Sequence, residues 1–329
     1  MEDILKKIIF HTVLKEIMGG YFMKKEIVDK INLFFEESDY LYDNLISLVE
    51  NNLLFLENLN IEKFNNINLK KENIEEFKNN PFIKNIKLEN ISDKNIEIKN
   101  EFFAKNQIFI DNIYSISGIS ETANLGYFQE QVSFPVIYQN DMPWMSIVPS
   151  EINTMKEDIE KMYGNILVLG CGLGYITYML SLKNNVNKIT VIDINSKIVN
   201  IFKKYILPQM QNNKIEIKIC DAIEFLRTNK TQYDFIYCDI WYNGIDGLPL
   251  YLKIKEIEQG YKNTKFLYWI EDEIIEQIRI KIYQDVLNNQ LTKNEEILLK
   301  NINSIEEFEK CISTENIIKN YLPTCNFIL

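Results

Sequence analysis

Residues 166–175 read Ile166-Leu167-Val168-Leu169-Gly170-Cys171-Gly172-Leu173-Gly174-Tyr175. Four apolar residues in a row, without alternation, describe a strand buried on both faces. The glycines that follow let the backbone turn sharply and leave room for a ligand to touch the chain. Ile176, Met179 and Leu180 then take up helical spacing, and the first N–H groups of that helix are expected to face the ligand. A dinucleotide fingerprint needs its third glycine one position later, where this chain has Tyr175. The spacing departs from a pyrophosphate cradle and suits a nucleoside ligand without phosphates.

Downstream, the pattern of a short apolar strand followed by a helical stretch repeats. Strands are expected at 166–170, 188–193, 214–219, 234–240 and 265–270, and strands alternating with helices indicate a parallel sheet. The second ends in Thr190-Val191-Ile192-Asp193, the third in Ile219-Cys220-Asp221-Ala222, and the fourth in Tyr237-Cys238-Asp239. Three successive strand ends thus bring a carboxylate to one edge of the sheet, the edge where open α/β sheets bind ligands. Asp193 is placed to accept from ribose hydroxyls and Asp221 from an exocyclic adenine amine. Both can also cap the helices that follow, and the two roles do not compete. Asp239 is followed by Ile240-Trp241-Tyr242 in a glycine-bearing loop, so helix capping does not account for it. Trp241 and Tyr242 either wall a substrate pocket or cover the sheet edge. Glu271 either opens a helix or adds charge beside Asp239.

Upstream the chain reads differently. Residues 2–18 place Ile4, Leu5, Ile8, Ile9 and Val13 on one helical face, a second helix is expected over 22–35, and a third after Ser38. From 96 to 148 the period shortens to that of strands. The organisation expected is a helical N-terminal region over 1–95, a β-rich segment over 96–148, a nucleoside-binding Rossmann-like domain over 149–290 and a helical extension over 291–329.

Composition narrows the functions. The 329 residues carry a net charge of −11 and contain only two arginines, Arg227 and Arg279, which argues against nucleic acid as a partner. His11 is the only histidine and the five cysteines form no CxxC pair, so an ordinary zinc site or a histidine-dependent nucleophile has almost nothing to draw on and no metal is expected. The cysteine usage indicates reduced thiols and a cytoplasmic protein. No apolar run approaches the ~20 residues that span a bilayer, so no membrane partner is expected.

From about 149 to 271 the chain resembles class I S-adenosylmethionine-dependent methyltransferases, with glycine motif, ribose acid, adenine acid and fourth-strand acid in order. The resemblance implies an α/β Rossmann-like sheet with helices on both faces and S-adenosyl-L-methionine as cofactor. It implies cofactor contacts from Gly170, Cys171, Gly172, Gly174, Asp193, Ile194, Asp221 and Ala222, and places Asp239 near the sulfonium as the catalytic acid-base group. Trp241, Tyr242 and Glu271 would form the substrate pocket. Leu125-Gly126-Tyr127-Phe128, Trp144-Met145-Ser146-Ile147, Pro149-x-Glu151-Ile152 and the run Asp246–Leu252 are further similar to an uncharacterised bacterial group of such proteins. Three departures stand out. Val168 replaces the usual acid before the first glycine, the Asn-Pro-Pro-Tyr motif is replaced by Asp239-Ile240-Trp241-Tyr242, and the terminal antiparallel strand pair is not evident after 271.

The primary expectation is methyl transfer to a small amine-bearing or cationic molecule, since acids surround the pocket. The chain also resembles spermidine synthases in Val168 and in the strand-rich region ahead of the nucleotide domain, which makes an aminopropyltransferase the second reading. That family has an acid where this chain has Leu173 and another three residues beyond Asp239, at Tyr242, and both departures favour intact S-adenosylmethionine. A third reading is a non-catalytic nucleoside-binding regulatory protein. The N-terminal helices leave a homo-oligomer open.

Overall fold

The computed structural model describes Phe55 and residues 68–324, apart from 94, 117–119, 211, 288–289, 301 and 303–304. The helices expected at 2–18, 22–35 and after Ser38, with His11 and Cys325, lie outside the described residues. The chain divides into two compact units, Val49–Asn112 with Asn124–Ile270, and Met1–Leu48 with Ile113–Ala123 and Glu271–Leu329.

In chain order the first elements are β1 (Asn68–Lys71), α1 (Ile74–Asn79), α2 (Pro81–Asn85) and β2 (Ile91–Asp93). The described part of 58–95, where the sequence leaves short helices and an irregular connection open within the helical N-terminal region, carries two short helices and also two strands. Then come β3 (Ile96–Phe103), β4 (Ile108–Ile116), β5 (Ser120–Tyr127), β6 (Val132–Gln139) and β7 (Met142–Ser146). These build two small sheets. One has the order β1-β5-β4, and the other, β2-β3-β6-β7, is antiparallel throughout.

The chain then alternates: α3 (Pro149–Lys161), β8 (Gly164–Leu169), α4 (Tyr175–Ser181), β9 (Val186–Asp193), α5 (Ser196–Ile201), β10 (Ile215–Ile219), α6 (Ala222–Thr228), β11 (Phe235–Cys238), α7 (Gly244–Glu258) and β12 (Lys265–Tyr268). The five strands form one parallel sheet in the order β10-β9-β8-β11-β12, flanked by helices, a Rossmann-like α/β fold. β8 is central, and Ile166, Leu167, Val168 and Leu169 are fully buried, as the unbroken apolar run requires. The strand order reverses between β8 and β11. Loops leaving the carboxyl ends of those two strands diverge there and open a crevice. Among the described residues no antiparallel pair completes this sheet. It ends at β10 and β12, the strands of 91–146 form sheets of their own, and the described residues of 290–324 hold no strand.

The smaller unit continues as α8 (Glu271–Leu287), α9 (Lys293–Leu298), α10 (Ile305–Cys311) and α11 (Thr314–Asn316). Its polar centre is well satisfied. Arg279 pairs with Glu276 and donates to the Ile312 carbonyl at 2.9 Å. The fully buried Glu295 accepts from the Thr292 N–H at 2.7 Å and the Tyr321 hydroxyl at 3.0 Å.

Candidate active site

The glycine turn sits at the crevice, but most of its hydrogen-bond donors do not face it. Gly170 donates to the Ile192 carbonyl at 2.8 Å, Cys171 to Asp193 Oδ2 at 2.9 Å and Gly174 to the Cys171 carbonyl at 2.8 Å. Leu173 donates to the thioether of Met145 at 3.3 Å. Side chains and carbonyls of the same unit thus satisfy these four N–H groups of the turn itself. Two of the glycines also serve packing. Gly170 has φ +101°, and a Cβ there would lie 1.8 Å from the Asp239 carbonyl oxygen. Gly174 has φ +74°, and a Cβ there would lie 2.1 Å from the buried Phe202 ring. The first holds β8 and β11 close at the switch point, and the second seats α4 on the core.

The carboxylates follow from the strand ends. Asp193, at the end of β9, accepts from the Cys171 N–H and, at 2.7 Å, from the Asn195 N–H, so it clamps the glycine turn. Asn195, not Asp193, caps α5. Asp221 caps α6 by accepting from the Glu224 N–H at 2.8 Å, which leaves its second oxygen for another donor. Asp239 leaves β11 into the crevice. Burial, then the neighbouring carboxyls of Glu151 and Asp193, push its pKa up to about 8. Glu151 occupies the first turn of α3 and accepts from both the Ser146 N–H (2.9 Å) and its hydroxyl (2.7 Å). Burial raises it to about 7 despite those two bonds, which favour the charged form.

A cavity of about 360 Å³ joins these groups. Of the residues expected to form the site, Gly170, Cys171, Gly172, Asp193, Ile194, Asp221, Ala222, Asp239 and Trp241 line it. Gly174 does not, because its open side faces Phe202. Trp241 is a fixed wall: its indole N–H donates to the Trp269 carbonyl at 3.1 Å and its ring stacks on Tyr268. Tyr242 is outside the lining but packs on Trp144, which is in it, with ring centroids 5.7 Å apart. Glu271 opens α8 in the other unit, among three acids of the first turn. The sequence reading missed Trp144, Met145 and Trp269, and it set Glu151 aside as a helix-terminus charge although a contact with the cofactor's amino group was open to it. Two of these belong to the Trp144–Ile147 stretch and one to Pro149-x-Glu151-Ile152, but nothing in the sequence says that β7 lies over the glycine turn. Among the described lining residues there are four carboxyls, Glu151, Asp193, Asp221 and Asp239, and no Lys, Arg or His.

Comparison with known proteins bears on the same stretch. Residues 145–244 match the model of the Spermine/spermidine synthase domain. Polyamine aminopropyltransferases of Clostridium botulinum and Alkaliphilus oremlandii are 30% and 32% identical to the chain over 79 residues. Those residues are 23% of this chain and only 28% of either relative's length. A spermidine synthase from Thermotoga maritima superposes with a TM-score of 0.33 and 13% identity, covering 46% of this chain and 60% of that one, a likeness too loose to add to the topology above. The expected methyltransferase, with S-adenosyl-L-methionine as methyl donor, is corrected by the family match and by the names of both sequence relatives, which favour the second reading. The lining gives the physical reason. Intact S-adenosylmethionine carries a carboxylate, which would meet four acids, no basic side chain and a glycine turn whose donors are mostly occupied. The missing acids at Leu173 and Tyr242 were read as favouring the intact cofactor, but Glu151 restores an acid from a different element. What stands is a likeness to the spermine/spermidine synthase domain over residues 145–244, on a Rossmann-like parallel α/β sheet.

Proposed function

We propose that this chain is an aminopropyltransferase, moving the aminopropyl group of decarboxylated S-adenosylmethionine to a small amine. The single observation that carries the reading is the make-up of the cavity: four carboxyls and no basic side chain among its described lining residues. Decarboxylation turns the donor into a dication, with sulfonium and ammonium, and such a cavity attracts it while repelling phosphates and carboxylates. The family match over residues 145–244 and the two named relatives support the same reading.

The chemistry is an in-line substitution, so positioning supplies most of the acceleration. The lone pair of a neutral amine attacks the propyl carbon bonded to sulfur. A C–N bond forms, the C–S bond breaks with its electrons going to sulfur, and methylthioadenosine leaves neutral. The attacking nitrogen must lose a proton, and Asp239 is the group proposed to take it. A carboxyl raised to about 8 is a far better proton acceptor than an ordinary aspartate once ionised. Asp193 and Asp221, both in the cavity lining, are proposed to hold the ribose and adenine.

The test is chromatographic. The protein with decarboxylated S-adenosylmethionine and a panel of primary amines should release 5′-methylthioadenosine and an aminopropylated amine in equal amounts. Release of S-adenosylhomocysteine from intact S-adenosylmethionine, with no methylthioadenosine from the decarboxylated donor, would overturn the reading.

A further inference from the structure

Beside the acids, the cavity has an aromatic mouth. Trp144 on β7 lines the cavity and is 39% exposed, and Tyr242, in the loop after Asp239, is 42% exposed. Their rings lie 5.7 Å apart at an interplanar angle of 32°. Two large aromatics from distant parts of the chain that remain half open to solvent, though paired, offer apolar surface to whatever enters. The capping of α7 engages Asp246, in the helical turn after Tyr242. Both oxygens of Asp246 accept from the Tyr242 N–H (3.2 and 3.1 Å), and one also accepts from the Asn243 N–H at 2.7 Å. Asp246 is therefore tied to the helix start and is absent from the cavity lining.

We infer that the Trp144–Tyr242 pair selects an acceptor with one amine and an apolar alkyl or aryl body, in preference to a diamine. The inference rests on the proposed aminopropyl transfer and names the acceptor class of that same site. The amine end reaches Asp239, and the body lies along the two rings. A methyl end laid along the two rings removes apolar surface from water, and a second ammonium in the same place does not.

Pentylamine and 1,4-diaminobutane test this directly, because they have the same length and differ in a terminal methyl or ammonium. With decarboxylated S-adenosylmethionine as donor, kcat/KM for pentylamine should exceed that for the diamine by about tenfold or more. The double variant Trp144→Ala/Tyr242→Ala should reduce that ratio to about threefold or less, chiefly by raising KM for pentylamine. Trp144→Phe, which keeps an aromatic face, should retain the preference and shows that the altered mouth still folds. A preference for the diamine, or a ratio unchanged in the double variant, would overturn this inference and leave aminopropyl transfer standing. No methylthioadenosine from any amine would overturn both.

Discussion

At the scale of single residues, Asp239 governs the proposed chemistry. A carboxyl raised to about 8 is mostly protonated at neutral pH and cannot take the amine's proton until it ionises. We expect kcat/KM to rise with pH through a limb near pH 8. The limb in kcat should lie lower, because a bound dication favours the charged carboxylate. Asp239→Asn should abolish the limb and cut kcat/KM by about 100-fold or more. The same substitution has a readout in stability. A folded-state pKa above the unfolded value means that the native protein binds the extra proton, so Asp239 weakens the fold progressively as pH rises from about 4 to about 8. Thermal melts should show Asp239→Asn gaining several degrees over the parent at pH 9 and little at pH 5. An equal gain at both would contradict the raised pKa. Tyr237 offers a cleaner case. It is fully buried and its hydroxyl has no hydrogen-bond partner among the described residues, so Tyr237→Phe should stabilise the protein by about 1 kcal/mol in denaturant titrations. Asp239 was legible in the sequence because an acid at a strand end, unexplained by capping, stands out. Glu151 was not, since its burial depends on Ser146 arriving from β7, and an acid in a first helical turn has a cheaper explanation.

At the scale of elements, the unbroken apolar run of β8 and the alternation that follows it made the parallel sheet readable. The register and order of its strands then follow from short crossovers. The glycine turn was readable as a turn but not in its detail. Glycine spacing says where the backbone can bend, and it does not say which neighbours use the space. Phe202 fills the space at Gly174 and Met145 the donor at Leu173, both contributed by elements whose packing no local pattern encodes. Gly174→Ala therefore tests packing rather than binding. A left-handed φ and a rigid aromatic face together should cost about 2–4 kcal/mol in equilibrium unfolding. Loss of activity with unchanged stability would show instead that Gly174 serves the ligand.

At the scale of the whole molecule, the charge balance was legible from composition, and its concentration at one crevice was not. The net −11 excludes nothing about a cavity until the fold shows that four of the acids line it without a basic residue. Long-range attraction of a dication to that crevice should weaken as salt screens it, so raising ionic strength from about 0.05 to 0.5 M should raise KM for the donor several-fold with little change in kcat. The most direct test of the central claim is a calorimetric titration of the protein with decarboxylated and with intact S-adenosylmethionine. The cavity's charge predicts binding of the decarboxylated sulfonium at least about tenfold tighter than the intact one. Equal affinity, or tighter binding of the carboxylate-bearing form, would contradict it.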